Sequence, residues 1–292
     1  MATMSEWISG ARPRTLPAAA APVLIGAGAA AHINAYSPTL TLLALAVAFA
    51  LQIGVNYAND YSDGVRGTDL DRVGPLRLTA SGAAPAHTVK IAAFLALGVG
   101  AALGLVILAL TGHWWLGIVG LAAIAAAWFY TGGRRPYGYA GYGEVGVFVF
   151  FGLVATLGTQ YIQADTVTWP GALGAVGVGL IACALLMVNN IRDIPTDHLA
   201  GKHTLAVKLG EHRARSTYVA MIWLPLIIAV IQGFWVPWTF LTLLLLVPAT
   251  MLALAVRVGA RGKLLIPVLA GTGLYELGYG ILFGGALALA GS

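Results

Sequence analysis

The chain has 292 residues, of which 59% are apolar and only 9% charged, with a mean hydropathy of +0.84. Soluble domains carry roughly 25% charged residues, so this composition excludes an ordinary water-soluble globule and puts most of the surface in lipid. The net charge of +5 does not argue for nucleic acid, because the basic residues have a topological explanation.

The first fourteen residues, with Glu6 and Pro13, do not read as a cleavable leader. A helix needs about 20 mostly apolar residues to cross about 30 Å of hydrocarbon, and in lipid every backbone polar group must be paired internally. Nine segments meet this requirement in chain order: 15–33, 39–58, 90–111, 114–130, 144–163, 170–190, 216–234, 237–256 and 265–289. The fourth is the shortest, and the seventh and eighth are separated by a tight turn at Trp235-Val236-Pro237. The expected fold is therefore all-α, a single polytopic membrane domain over 1–292, with no soluble domain. Cys183 lies inside an apolar run and reads as a small buried residue.

The basic residues test this division. Arg12 and Arg14 precede the first span. Arg66, Arg72, Arg77 and Lys90 follow the second, and Arg134 and Arg135 the fourth. Arg192, Lys202, Lys208, Arg213 and Arg215 follow the sixth, and Arg257, Arg261 and Lys263 the eighth. All 16 fall on one side, which the positive-inside rule makes cytoplasmic, with the N-terminus inside. Of the 11 acidic residues, Asp165 lies on the other side and Glu276 within the last span. The rest share the basic side, so function is expected there, in a cell membrane.

Two constellations leave the spans on that side, within the stretches 56–89 and 189–215. The first reads Asn56, Asn59, Asp60, Asp63, Arg66, Asp69, Asp71 and Arg72. The spacing of Asn56, Asp60 and Asp63 predicts a shared helical face, with Gly64 and Gly67 ending the helix. The second reads Asn189, Asn190, Arg192, Asp193, Asp197 and Lys202. Here Asn189, Asp193 and Asp197 share a face, although Pro195 predicts a kink or restart between the carboxylates. Mixed charges near a span often mark no site at all. Short Asp and Asn side chains cannot snorkel far to water, however, and two such clusters after apolar runs favour a function. The fitting chemistry is Mg²⁺ bound with a diphosphate. Mg²⁺ takes oxygen ligands and is usually held by one or two carboxylates plus substrate phosphates. Arg66, Arg72, Arg77 and Lys202 then donate to the remaining phosphate oxygens.

These residues resemble the UbiA superfamily of intramembrane aromatic prenyltransferases. Asn59-Asp60-Tyr61-Ser62-Asp63 is similar to the start of that family's NDxxDxxxD motif, but Gly67 stands where the third Asp is wanted. The third ligand is therefore left between Asp69 and Asp71. Asp193 and Asp197 match its DxxxD motif. Further strings resemble the branch of the superfamily that acts on 1,4-dihydroxy-2-naphthoate. They are Ala11-Arg12-Pro13-Arg14-Thr15, Gly74-Pro75-Leu76-Arg77, Tyr130-Thr131-Gly132-Gly133-Arg134-Arg135-Pro136, and Asn189 to Asp193 running on to Gly201-Lys202-His203-Thr204-Leu205.

The resemblance implies nine helices and Mg²⁺-dependent transfer of a polyprenyl group from polyprenyl diphosphate to the naphthoate, with loss of CO₂ and diphosphate. Asp60, Asp63, Asp69, Asp193 and Asp197 are then the metal ligands, with Arg66, Arg77 and Lys202 on the diphosphate. Asn56, Asn59, Asn189, Asn190 and Tyr130 join the substrate site. Arg134 is either the clamp for the acceptor carboxylate or a topological anchor, and Glu144 either an acceptor contact or a helix cap. Among Tyr57, Tyr61, Trp128, Tyr130, Tyr137, Tyr139 and Tyr142, one or two stabilise an allylic cation and the rest belong to an interfacial belt. Glu276 is functional by position or pairs with Tyr275, Tyr279 or backbone. The histidines offer no metal spacing, and the many glycines serve mostly to pack helices. The competing readings are prenylation of another acceptor, such as 4-hydroxybenzoate, or a secondary transporter, against which the gathering of polar residues at one end argues.

Overall fold

Apolar runs without water to satisfy the backbone fold as helices, and every regular element among the described residues is helical. The computed structural model describes residues 2–68 and 76–291. In chain order the helices are α1 (Met4–Ala11), α2 (Leu16–His32), α3 (Pro38–Arg66), α4 (Ala86–Thr111), α5 (Leu116–Phe129), α6 (Gly143–Val147), α7 (Ala155–Ala164), α8 (Trp169–Leu199), α9 (Leu205–Gly233), α10 (Leu246–Arg257) and α11 (Leu265–Gly291). A π-helical stretch, Phe148–Val154, joins α6 to α7 into one rod, and a 3₁₀ stretch, Pro237–Leu245, leads into α10.

Eight of these rods are long and apolar enough to cross a membrane. The remaining predicted span, α5, has 14 residues, which at 1.5 Å each cover only about 21 Å. Its two ends nonetheless lie at opposite ends of the molecule. His113, just before it, meets Asp165 at 2.5 Å, while Thr131, just after it, meets Asn59 at 2.8 Å.

The two motif-bearing stretches do not leave their helices as loops. α3 runs on to Arg66, where Gly67 (φ 71°) closes it, and α8 runs unbroken through Pro195 to Leu199. The motifs therefore ride on last turns, whose backbone hydrogen bonds make the spacing of carboxylates rigid. Gly64 does not end α3. It lets the 76–81 turn approach, since a Cβ there would sit 2.5 Å from the Thr79 side chain. α9 starts earlier than the sequence predicts and breaks instead at Gly210 (φ 74°).

The core lies between α2, α8, α9, α10 and α11, around Ile25, Ile181, Met187, Tyr218, Ile222, Tyr279 and Phe283, all essentially inaccessible. α2 presses on α11 through small residues. A Cβ on Gly28 would lie 2.0 Å from the Gly284 carbonyl oxygen. Other glycines are not packing residues: Gly104, Gly120 and Gly158 have nothing within 4 Å of where a Cβ would be. The outer surface carries exposed Leu42, Leu95, Ile118, Leu121, Leu244 and Met251. Such a surface is stable only in hydrocarbon.

Candidate active site

The ends of α3 and α8 meet at one end of the bundle, at the mouth of a cavity of about 1400 Å³. Asn56, Asn59, Asp63, Arg77, Asn189, Asn190, Arg192, Asp193, Asp197 and Lys202 all line it. From this polar mouth it continues as an apolar trough past Val23, Leu51, Leu108, Ile124 and Ile162 towards Trp114 and Leu116. Gly104, Gly120 and Gly158 line the trough and keep it open, a use of small residues distinct from the contact of α2 and α11.

Lys202 joins the two motifs. After α8 the chain turns through Gly201 (φ 68°) and enters α9 under a Thr204 cap. This short turn folds Lys202 back, so that its Nζ stands 3.5 Å from Asp63 and 3.9 Å from Asp197, with all three side chains nearly buried. The ammonium also lies over the Tyr139 ring, 4.6 Å from its centroid. Asp63 receives a hydrogen bond from the Tyr139 hydroxyl and faces Arg77 at 3.8 Å. Asp193 is held by the Arg192 guanidinium through two bonds of 2.7 Å, and Arg192 also donates to Asn189.

Some expected residues stand elsewhere. At about 100° per residue, Gln52, Asn56, Asn59 and Asp63 form one stripe of α3, and Asp60 lies roughly 70° round from its middle. Its carboxylate accepts the backbone N–H groups of Leu78 and Thr79, both at 2.8 Å, and does not line the cavity. Asn56 turns its amide nitrogen to the Ala11 carbonyl and the Thr15 hydroxyl. Arg66 donates to the carbonyls of Thr131 and Gly133 and covers Tyr139, so it braces the 131–139 loop outside the cavity. Arg134 is exposed and does not line the cavity. Glu144 is buried at the start of α6, where it accepts from Asn190 at 3.1 Å. Glu276 is fully buried away from the cavity without a hydrogen bond, and the hydroxyls of Tyr275 and Tyr279 go to the Ile222 and Pro225 carbonyls instead. Cys183 is buried and donates to the Glu144 carbonyl. Asp69, Asp71 and Arg72 lie outside the described residues.

Of the expected aromatics, Tyr130, Tyr137 and Tyr139 line the cavity, whereas Tyr57 and Tyr61 pack outside it against Leu78. Burial raises the hydroxyl pKa of Tyr139, with Asp63 adding, and pushes Tyr137 up to about 12. Both are therefore neutral donors. Sequence reasoning missed Phe150 and Phe151, which the π-helical stretch turns into the cavity, and also Gln52 and Arg12 as lining residues. π-Bulges often mark functional sites, but nothing in an apolar run announces one.

The donor set is oxygen only, as a hard divalent cation requires. Among the described residues no three His, Cys, Asp or Glu side chains lie close enough to form an all-protein cage.

A model of the UbiA prenyltransferase family matches residues 19–264. The chain is 53% identical to a 1,4-dihydroxy-2-naphthoate octaprenyltransferase of Mycobacterium tuberculosis, covering 99% of this chain and 98% of the relative. It is 40% identical to the protein of the same name from Escherichia coli, over 74% and 72% of the two chains. A UbiA homologue from Archaeoglobus fulgidus, solved with DMAPP and Mg²⁺, superposes with a TM-score of 0.68 at 16% identity, over 97% of this chain and 99% of that one.

Proposed function

As this chain belongs to the UbiA prenyltransferase family, we propose that it transfers a polyprenyl group from a polyprenyl diphosphate to 1,4-dihydroxy-2-naphthoate. In this reaction the allylic C–O bond breaks and diphosphate leaves. A new C–C bond forms at the carboxylate-bearing ring carbon, and the carboxylate departs as CO₂.

The observation that carries the reading is Lys202 Nζ standing between Asp63 and Asp197, which makes one polar mouth out of two distant motifs. Asp63, Asp193 and Asp197 would hold Mg²⁺, with Asp69 added on its motif alone. Mg²⁺, when bound with the diphosphate, neutralises the charge of the leaving group. Arg77, Arg192 and Lys202 line the same mouth and donate to phosphate oxygens. The hydroxyls and ring faces of Tyr130, Tyr137 and Tyr139 border the reacting carbon and favour developing positive charge. The apolar trough takes the prenyl tail and keeps water from the cation. Asp60 and Arg66 act from behind this surface, holding the 76–81 turn and the 131–139 loop in place, while Asn56 lines the cavity and holds the 11–15 turn.

In the bilayer, α5 with its flanking turns completes a ninth crossing, and the mouth opens to the cytoplasm, as the one-sided distribution of Lys and Arg argues. A membrane-impermeant thiol reagent on inverted membrane vesicles, with cysteine introduced at exposed Arg134, tests that orientation.

The activity test supplies membranes containing the protein with a labelled polyprenyl diphosphate and either 1,4-dihydroxy-2-naphthoate or 4-hydroxybenzoate, with Mg²⁺ or with chelator. A decarboxylated prenyl-naphthoquinol formed only with Mg²⁺ is expected. Prenylation of hydroxybenzoate alone refutes the acceptor assignment, and activity unaffected by chelator refutes the metal.

A further inference from the structure

Two buried polar atoms in the cavity wall have no hydrogen-bond partner, and neither belongs to the diphosphate mouth. They are Nη2 of Arg12 and Oε1 of Gln52. Both residues line the cavity. Asn56, to which the Arg12 turn is tied, stands two turns of α3 from Asp63, about 10 Å at 1.5 Å per residue. A buried guanidinium N–H with no partner is destabilising, so an unmet donor and an unmet acceptor lining one cavity point to a ligand that completes them.

The backbone is built to hold Arg12 there. α1 ends at Arg12 in the left-handed region, φ 53° and ψ 65°, before Pro13 starts a new turn. That conformation is costly for a residue with a Cβ and persists only where the surroundings enforce it. The enforcement is visible. The Thr15 hydroxyl donates to the Arg12 carbonyl at 2.9 Å and accepts from Gln52 Nε2 at 2.9 Å and Asn56 Nδ2 at 3.0 Å. Asn56 also donates to the Ala11 carbonyl. Because the Thr15 hydrogen is spent on Arg12, Thr15 can only accept from Gln52. This fixes the amide with its nitrogen on Thr15 and leaves its oxygen unpaired.

We propose that Arg12 and Gln52 form the acceptor subsite, Arg12 donating to the carboxylate of a hydroxy-aromatic acid and Gln52 Oε1 accepting from its ring hydroxyl. The proposal rests on the prenyl-transfer reading and assigns to this pair the role that Arg134, exposed and off the cavity, cannot fill. An unmet donor and an unmet acceptor lining one cavity, on segments tied together through Thr15, match a carboxylate and a hydroxyl carried by one aromatic ring. Of the other cations lining the cavity, Lys202 and Arg192 face Asp63, Asp197 and Asp193, Arg77 faces Asp63, and Arg14 is exposed on the turn that follows Arg12.

The test uses full-length protein in lipid nanodiscs with a labelled prenyl diphosphate and two acceptors. One is 1,4-dihydroxy-2-naphthoate and the other 1,4-naphthalenediol, from which a ring proton leaves in place of CO₂. Wild-type turnover of the naphthoate tests the underlying reading without any variant. If another carboxylated phenol proves to be the acceptor, the comparison is run on it and its counterpart lacking the carboxylate. Arg12→Gln is expected to raise KM for the carboxylated acceptor about 10- to 100-fold, the range of a lost charge-assisted hydrogen bond. KM for the prenyl diphosphate and for the diol should stay within about twofold. Arg134→Gln should change none of these. A rise in KM for the prenyl diphosphate in place of the acceptor overturns the proposal, as does no change in either. Arg12→Lys keeps a cation on the same backbone and serves if Arg12→Gln does not fold. It should show the same acceptor-selective rise in smaller degree, and its absence counts equally against the proposal.

Discussion

Asp60 and Asp63 lie three residues apart on α3, yet conversion of each to Asn should have opposite consequences. Asp63 lines the cavity, and its carboxylate faces Lys202 at 3.5 Å and Arg77 at 3.8 Å. Asn is nearly isosteric, so Asp63→Asn removes one charged oxygen ligand while the Tyr139 hydroxyl still has a carbonyl to meet. Loss of one preorganised electrostatic contact to a developing charge typically costs about 10²- to 10³-fold in kcat, or about 2.7–4 kcal/mol of barrier. Turnover of the folded variant should fall by at least about 100-fold. Asp60 instead spends both oxygens on the Leu78 and Thr79 N–H groups and is 1% exposed. In Asp60→Asn one of those oxygens becomes an NH₂ that faces a donor. Leaving a buried donor unsatisfied costs about 1–3 kcal/mol of stability, while kcat should fall less than for Asp63→Asn. Both variants are purified in detergent, melted by intrinsic fluorescence and assayed by product mass spectrometry. The reasoning is refuted if Asp63→Asn keeps more than about a tenth of wild-type turnover, or if Asp60→Asn melts like the wild type.

Lys202→Met leaves Asp63 and Asp197 facing one another without their shared cation, and removing one partner of a buried pair costs about 3–5 kcal/mol. The variant should melt lower than the wild type in chelator and gain more from added Mg²⁺, so an equal Mg²⁺ response in the two proteins counts against that siting of the ion. Gly28→Ala places a Cβ 2.0 Å from the Gly284 carbonyl oxygen, which only parting α2 from α11 relieves. It should lose about 1–3 kcal/mol in thermal melting, while Gly104→Ala, with open space around it, should not. Tyr139→Phe removes the hydroxyl held on Asp63. Burial, reinforced by Asp63, raises the pKa of that hydroxyl above its ordinary value, so it stays protonated below pH about 10 in folded and unfolded chains alike. The ratio of wild-type to variant turnover should be flat from about pH 6 to 9, and a slope in that range would show that the hydroxyl titrates.

Composition alone required a membrane solvent, and apolar run length set out the rods, because a helix in lipid has no other way to pair its backbone. The Asp and Asn spacing after the second and sixth runs likewise marked the site end of α3 and α8, since helical periodicity is local. Periodicity also misled there. It grouped Asp60 with Asn56 and Asp63, and only the fold of the 76–81 turn against Gly64 gave that carboxylate two backbone amides to satisfy. Arg134 was legible as a cation near the site, but the direction of its side chain depends on the 131–139 loop that Arg66 braces. The left-handed backbone at Arg12, the two unpaired atoms it shares with Gln52 and the π-helical turn at Phe150 depend on contacts between segments distant along the chain. Sequence spacing fixes which groups share a helix face. Which face meets a neighbour, and which polar atoms are left over for a ligand, is decided when the helices pack.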